Sequence, residues 1–302
     1  MSVNLAAIAN QLLPGLMDVT GEYKKIPAEW KNIFTTKTSK MAQEKSLQVR
    51  YLGPAQIKNE GQASFADNQS GDRSSYNIVP VEASIMYAIT RKAIDDGLYR
   101  DQFRPTNLGL NNSMVAFWNA YAANILNTAS TYDANIGGDG KALLATDHPI
   151  DTGTWANTSS TPQSLNETSL ISAMKNIRKF RDEAGILIDA WAENLIVPIN
   201  LEDTAIRLEK TELRPGTANN DVNVIPTVAG GLKTYSVMRY LTSDYAWFAT
   251  TNIKGLIHTQ RTPYETSMWV DEATDNLMVK AYERAGFAYT DPRAVYGQIA
   301  TA

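Results

Sequence analysis

The sequence contains no cysteine and only two histidines, His148 and His258. Without cysteine the chain can form neither disulfides nor thiolate metal sites, and it has no thiol nucleophile. The shortage of histidine removes most of the usual choices for a general base or a zinc ligand. We therefore expect a chain that is stabilised by packing and that uses neither a cofactor nor a metal.

The chain also lacks long apolar runs and a strong net charge. No stretch approaches the ~18 uninterrupted apolar residues of a membrane helix, and residues 5–17 are broken by Asn10, Gln11 and Pro14 with no basic residue before them. The net charge of −4 leaves no global basic field for nucleic acid phosphates. We expect no membrane association and no sequence-specific DNA binding.

What is present is an ordinary globular composition, with 43% hydrophobic and 20% charged residues in a chain of 302. This length predicts about two structural units. One local exception is a basic stretch, residues 24–50, whose cations are Lys24, Lys25, Lys31, Lys37, Lys40, Lys45 and Arg50. It is typical either of a solvated surface segment or of an arm that lies along an acidic neighbour.

A long hairpin is predicted near the N-terminus. Residues 46–58 and 76–91 are rich in β-branched and aromatic side chains, and residues 59–75 between them are mostly small and polar. An isolated hairpin of this size is only marginally stable in water. Its apolar side chains therefore need a surface to lie on, which another subunit could provide.

The middle of the chain predicts one long amphipathic helix over residues 106–130, after a short helical piece at 93–99. Apolar side chains recur there every three or four positions: Met114, Phe117, Trp118, Tyr121, Ala122, Ile125 and Leu126. No charged residue occurs from Thr106 to Tyr132, so part of the polar face is expected to meet protein. Residues 131–164 predict a long loop region.

Helices and strands alternate in the predicted structure from residue 165 to 260. Ser164 and Glu167 have the spacing of a capping box, which would open a helix that ends at Gly185, and Asn200 is placed to cap a second helix. Residues 214–223 predict a turn. Strands are predicted at 195–197, 235–240, 245–250, 268–270 and 277–289, the last ended by Asp291 and Pro292.

No catalytic motif is complete. Gly137–Lys141 is similar to a phosphate-binding loop, but Asn135 replaces the first glycine and Ala142 replaces the serine or threonine after the lysine. Asp147 and His148 could be half of a catalytic triad, yet no Gly-x-Ser-x-Gly motif accompanies them. A hydrolase that uses Asp147 and His148 remains one alternative, and a carbohydrate-binding tail protein that uses the tryptophans is another.

Four segments resemble the major capsid protein of tailed bacteriophages, and specifically the Mu-type major head subunit family. They are residues 143–149 (LLATDHP), 197–201 (VPINL) with Ala205, 215–223 (PGTANNDVN) and 291–297 (DPRAVYG). The order of elements, from basic arm and long hairpin to uncharged helix and alternating unit, agrees with this resemblance. The similarity covers most of the chain from about residue 45 onward.

The resemblance implies an α+β fold, the tailed-phage major capsid fold. It divides the chain into an N-terminal arm (1–45), an extended β-hairpin loop (46–80), a peripheral domain with a long spine helix and connecting loop (81–164, helix 106–130), an axial α/β domain (165–258) and a return to the peripheral domain (259–302). In this family the extended loop lies over an adjacent subunit. It would do so here through Val49, Tyr51, Ile57, Lys58, Phe65 and Arg73, while Met114, Phe117, Trp118, Tyr121 and Ile125 pack the spine helix.

The implied function is structural and not enzymatic. Copies of the chain would self-assemble into pentamers and hexamers of an icosahedral shell that encloses double-stranded DNA, in a virion assembled in the host cytoplasm. A separate scaffolding protein, a portal and a decoration protein are the implied partners besides the chain itself. Some relatives cross-link subunits, for which Lys58 is the one lysine of the loop. An encapsulin-like protein nanocompartment, which shares the fold, is the nearest alternative.

Overall fold

The computed structural model describes residues 26–50, 52–61, 63–64, 71–96, 99–211, 222–227, 231–232 and 234–300. Its strands are β1 (Thr35–Thr38), β2 (Glu44–Arg50), β3 (Gly71–Ile78), β4 (Val81–Ile89), β5 (Gly137–Gly138), β6 (His148–Ile150), β7 (Gly153–Trp155), β8 (Ala192–Val197), β9 (Thr234–Val237), β10 (Trp247–Thr251), β11 (Leu256–Asp271), β12 (Asn276–Tyr289) and β13 (Val295–Gln298). The α-helices are α1 (Arg91–Asp95), α2 (Tyr99–Asn127), α3 (Glu167–Ile177) and α4 (Glu202–Lys210). Short 3₁₀ turns occur at Glu29–Asn32, Ile199–Leu201 and Pro292–Ala294.

The first structural unit is a sheet in the order β1-β11-β12-β4 with α2 packed on one face. Strand β1 is parallel to β11, and the other pairs are antiparallel. In β12 every second side chain is buried up to Ala285, as in Leu277, Val279 and Ala281, because successive residues of a strand point to opposite faces. The buried face meets α2 in a core that includes Trp118 and Phe287.

The second unit is a sheet in the order β13-β10-β8-β9 with α3 and α4 beside it. The central strand β8 is almost wholly buried, and its second half, Leu195–Val197, is accordingly a continuous apolar run and not an alternating one. Helix α3 contributes Leu170, Met174 and Ile177 to this second core, and α4 contributes Ala205. The two cores share no residue.

The predicted hairpin exists, but its return strand is placed differently. Strand β2 pairs with β3 from Glu44 opposite Ile78 to Arg50 opposite Gly71, and β5 adds a short third strand. The predicted return strand 76–91 is therefore wrong: it is divided between β3 and β4. The division falls at Val79 and Pro80, where proline cannot donate to a strand ladder and favours a change of direction.

Helix α2 begins at Tyr99, earlier than the predicted residue 106, and contains Pro105. Pro105 is the seventh residue of the helix and lies beyond its first turn, so it removes one N–H from the backbone hydrogen-bond ladder. The helix ends at Asn127, close to the predicted end. Within the described ranges no helix combines the length and apolarity needed to cross a bilayer.

The predicted boundaries of α3 were wrong at both ends. The cap is Asn166, which exchanges hydrogen bonds with Ser169, and Ser164 lies outside the helix. Gly185 does not end the helix, which stops at Ile177, and has φ +84° in the turn of a later bridge. Likewise Asn200 does not cap α4, because a 3₁₀ turn precedes that helix and no side-chain cap is formed.

The C-terminal strands connect both units. Strands β11 and β12 belong to the first sheet, and β11 is far longer than the predicted strand 268–270. Strand β13, however, pairs with β10 in the second sheet, so residues 259–302 do not return wholly to the first unit. Most of the predicted turn 214–223 lies outside the described residues, as does the arm before residue 26. The proposed domain boundaries remain predictions.

Candidate assembly surfaces

The hairpin β2–β3 presents apolar side chains to solvent. Leu47 and Val49 lie on its outer face and are 49% and 42% exposed, and in the segment that follows, Ile57 is 95% exposed. Lys58 beside it is also exposed. Two further predicted interface residues, Tyr51 and Phe65, lie outside the described residues. Neighbouring exposed apolar side chains of this size are typical of a contact surface.

The loop end of the hairpin, where β2 ends and β3 begins, is held by arginines, and this changes the interpretation of Arg73. Arg50 Nε donates to Oδ2 of Asp151, and Arg73 Nη1 lies 2.7 Å from Oδ1 of the same carboxylate. Arg73 also pairs with Glu183 at 3.6 Å. Arg73 was predicted at a subunit interface, but in the structure it forms ion pairs within its own chain. This is possible because Asp151, in the β6–β7 turn, lies beside β3.

The same network of ion pairs extends to Arg293, in the 3₁₀ turn just before β13. Arg293 Nη2 lies 2.8 Å from Oε1 of Glu183, and its Nε donates to the carbonyl of Arg181 at 2.7 Å. Although burial alone would lower the pKa of Arg293, Asp291 and Glu183 raise it above its ordinary value. The hairpin, the β6–β7 turn and the start of β13 are therefore joined by one set of charges, which sequence reasoning did not find.

The long helix α2 faces the first sheet with part of its predicted stripe. Met114 and Trp118 are buried, and Tyr121 and Ile125 are partly buried against the same core. Phe117 is 42% exposed and packs its ring on Trp118 and Tyr121. Its predicted place in the packing stripe is therefore wrong, since the sheet meets the helix on the side of Trp118.

The face of the first sheet that is turned away from α2 is partly open. Met86 and Trp269 are 58% and 41% exposed. The register places Met86 beside Lys280 and Trp269 beside Met278. The alternation in residues 276–289 could have revealed this second face, but the sequence analysis assigned no residue to it.

Asp147 and His148 do not form a catalytic pair. His148 is fully buried, and its Nδ1 lies 2.7 Å from Oδ2 of Asp139, while its Nε2 lies 3.3 Å from Oδ1 of Asn157. Asp147 is exposed and pairs with Lys141, and this hydrogen bond lowers its pKa. Both nitrogens of the imidazole are thus engaged inside the protein, so neither can reach a substrate.

Asn157 connects this buried cluster to other segments of the chain by hydrogen bonds. Its Nδ2 donates to the carbonyls of Leu143, Pro292 and Val295, and its Oδ1 accepts from the amide of Ala145. The loop before β6 is thereby held to the segment that enters β13. This explains why the LLATDHP and DPRAVYG segments, far apart in sequence, occur together in the fold.

The second histidine, His258, lies in the first core. Its ring contacts Trp30 and Phe287, with centroid separations of 4.1 and 4.6 Å. Burial, with a smaller contribution from Lys31, lowers its pKa to about 4. The ring borders a cavity of about 490 Å³ that Trp118 and Glu283 also line. Among the residues that the structure describes, no group of three acidic, histidine or cysteine side chains could hold a metal.

Comparison with known proteins gives a family match over both units. A family model described as "Phage capsid protein" matches residues 78–297, which extend from the end of β3 into β13. No curated protein shows significant sequence similarity to the chain. The match covers well over half of the sequence.

Solved structures share the fold at low sequence identity. A virus-like particle from Pyrococcus furiosus is 10% identical with a TM-score of 0.55, over 96% of this chain and 98% of that chain. The capsid of an empty GTA particle is 13% identical with a TM-score of 0.54, over 91% and 90%. The mature capsid of bacteriophage PhiM1 is 10% identical with a TM-score of 0.55, over 89% and 85%. The predicted α+β fold is thus confirmed.

Proposed function

Because this chain belongs to the phage capsid protein family, we propose that it is the major head subunit of a tailed bacteriophage, of the Mu type. Many copies would form pentamers and hexamers that close into an icosahedral shell around double-stranded DNA. The shell would assemble in the host cytoplasm with a scaffolding protein, a portal and a decoration protein as partners. The observation that carries the proposal is the family match across both structural units.

In this proposal the first sheet and α2 are the peripheral domain, and the second sheet with α3 and α4 is the axial domain around the centre of each capsomer. The hairpin is the clamp between subunits. Its exposed Leu47, Val49 and Ile57 would lie over the peripheral domain of an adjacent copy. The pairs of Arg50 and Arg73 with Asp151 hold the loop end of the hairpin, so that its outer face stays available.

A shell protein acts by contact, which distinguishes the proposal from the hydrolase alternative. The hydrolase alternative needs a histidine that can reach a substrate, whereas His148 is buried and engaged at both nitrogens. The net charge of −4 suits a wall that should not bind packed phosphates tightly. The nanocompartment alternative differs in its contents, since it predicts a protein cargo where the proposal predicts DNA.

The test is assembly of the purified protein, expressed alone and together with its neighbouring genes. Negative-stain electron microscopy and light scattering are expected to show closed polyhedral shells, tubes or capsomer rings. Shells that contain a cargo enzyme would favour the nanocompartment alternative over the phage head. A uniform small oligomer under every condition would overturn self-assembly as the function.

A further inference from the structure

Exposed lysines lie at one end of the first sheet, on β1, in the turn after it and on the adjoining hairpin strand β2. Lys37 on β1, Lys40 in the following turn and Lys45 on β2 are all exposed. Lys37 and Lys45 border one hollow of about 170 Å³. Across the part of the chain that the structure describes, none of these three lysines forms an ion pair. We call Lys37, Lys40 and Lys45 the basic end.

The opposite end of the same sheet is acidic. The turn between β11 and β12 contains Glu272 and Asp275, both exposed. The carboxylate of Asp271 accepts from Thr274 Oγ1 at 2.6 Å and holds the turn in shape. Asp275 has one partial counter-ion, Arg91 at 3.7 Å, which is shared with Asp95. Glu272 makes no ion pair with the described residues. We call residues 271–275 the acidic turn.

These two ends cannot meet within one subunit. Lys37 is opposite Thr259 near the start of β11, and Glu272 follows the end of that strand. At about 3.3 Å per residue, the ~13 residues between them span about 40 Å of strand. The intervening residues are paired with β12, so the strand cannot fold back and the opposite charges need a second molecule.

We propose that the acidic turn of one copy docks on the basic end of a second copy. This inference rests on the proposed self-assembly and names one contact within it. The contact is head to tail, because each copy offers both complementary ends, and such contacts close into rings when the rotation between copies allows. Its role is orientation and selection of the partner, since exposed charges steer association more than they hold it.

A second copy fits these observations better than the phosphates of DNA. Phosphates would account for the lysines, but they would leave the acidic turn at the other end unmatched. An identical chain supplies both charges in equal number at a fixed separation. The contact should weaken as ionic strength rises, because the groups on both sides are exposed to solvent.

The test reverses the charge of the basic end and removes the net charge of the acidic turn, each in the full chain. The basic-end variant carries Lys37→Glu and Lys45→Glu. The acidic-turn variant carries Glu272→Lys and Asp275→Asn, where asparagine suits the left-handed φ of 54° at position 275. Asp271 is kept because its carboxylate shapes the turn. Lys179→Glu, at an exposed site in the second unit, is the control for charge alone.

At low ionic strength each variant is expected to give at least about ten-fold fewer shells than the unchanged protein, while its thermal unfolding is unchanged. Mixing the two variants is expected to restore part of the assembly, because the lysine introduced at position 272 of one then faces the glutamates introduced at positions 37 and 45 of the other. Mixing would not repair a folding defect in either variant, so recovery would show that the loss of assembly came from the contact. The control should assemble normally.

Three results would overturn the contact. They are normal assembly by either variant alone, no recovery in the mixture, and normal shells from the basic-end variant that enclose less DNA, which would assign the lysines to phosphates. Each of these leaves the proposed function standing as long as the unchanged protein forms shells. Failure of the unchanged protein to assemble would refute the proposed function instead.

Discussion

The indole Nε1–H of Trp118 donates a hydrogen bond of 2.6 Å to Oε2 of Glu283. The first residue lies on α2 and the second on β12, and both are buried. The bond therefore ties the long helix to the long sheet inside the first core. A buried carboxyl oxygen needs a hydrogen-bond donor of this kind, because a buried acceptor without a hydrogen bond destabilises the folded state.

Replacing Trp118 tests this connection. We expect Trp118→Phe to lower the free energy of unfolding by about 1–3 kcal/mol through the lost donor, and Trp118→Ala by about 3–5 kcal/mol. Urea denaturation measures both. The neighbouring Phe117→Ala is the control and should cost less than about 1 kcal/mol, since that ring is partly exposed. Equal losses at both positions would mean that the helix is rotated.

Asp151 should matter more to stability than an ordinary surface acid. Asp151→Asn removes the charge shared by Arg50 and Arg73. We expect a loss of about 2–3 kcal/mol, less than for a fully buried pair because Arg73 is partly exposed. Hydrogen exchange should accelerate in β2 and β3. Asp203→Asn, in an exposed pair with Arg207, should change stability by less than about 0.5 kcal/mol.

His148→Ala separates the structural role from the hydrolase alternative. The structure predicts a loss of stability of about 3 kcal/mol or more, because Asp139 and Asn157 lose a buried partner. Thermal denaturation measures it. Asp147→Asn should be nearly neutral, since Asp147 is exposed. If both variants kept their stability and lost a measured hydrolytic turnover, the structural role would be wrong.

His258 predicts a pH dependence of stability in the acid range. Its pKa is about 4 in the folded chain against 6.5 for the free side chain, so the unfolded state binds a proton more readily. The buried neutral ring therefore makes its full contribution to stability above pH 6.5. As pH falls towards 4, the free energy of unfolding decreases by about 3 kcal/mol. Denaturant unfolding across this range should show it.

The matched variant for this pH dependence is His258→Gln. It lacks the titrating ring, so the part of the slope that belongs to His258 should disappear. For each protein, the free energy of unfolding at pH 4 is subtracted from that at pH 7. Comparing these two differences removes any pH-independent effect of the substitution. An identical slope in both proteins would contradict the buried neutral histidine.

The exposed hairpin should be needed for assembly and not for folding. Ile57 is 95% exposed, so Ile57→Ser should leave the free energy of unfolding within about 0.5 kcal/mol. We expect fewer shells by light scattering and electron microscopy, because the apolar contact with an adjacent copy is lost. Leu187→Ser, at an exposed apolar site in another loop, is the matched control. Normal shell yield from Ile57→Ser would contradict the clamp.

Local periodicity was enough to locate several elements. The three-and-four spacing from Met114 to Leu126 predicted α2, and the apolar run near Leu195 predicted β8, because both patterns depend on neighbours along the chain. Boundaries were less predictable where a tertiary contact competed with a local signal. At α3 Leu165 is buried just before the helix, and Asn166, not Ser164, is the cap that precedes Glu167.

The candidate surfaces were predictable only in part. Val49 and Ile57 are exposed as a contact surface requires, but Arg73 is engaged inside its own chain and Phe117 points away from the sheet. Adjacent residues on a helix differ by about 100° in direction, so Phe117 and Trp118 could both belong to the stripe until the sheet selected one side. The partner of Arg50 is 101 residues away, and no local pattern indicates it.

The sequence by itself determined the class of protein: its composition excluded thiol chemistry, its two histidines left little for catalysis, and the segments with capsid resemblance lie in the order that the family shares. The tertiary structure alone decided how the charges are distributed. It paired Arg50, Arg73 and Arg293 with acids and left Lys37 and Glu272, at opposite ends of one sheet, without an ion pair among the residues it describes. The reason is that charge pairing acts through space over a few ångströms, whereas sequence patterns report only on neighbours along the chain.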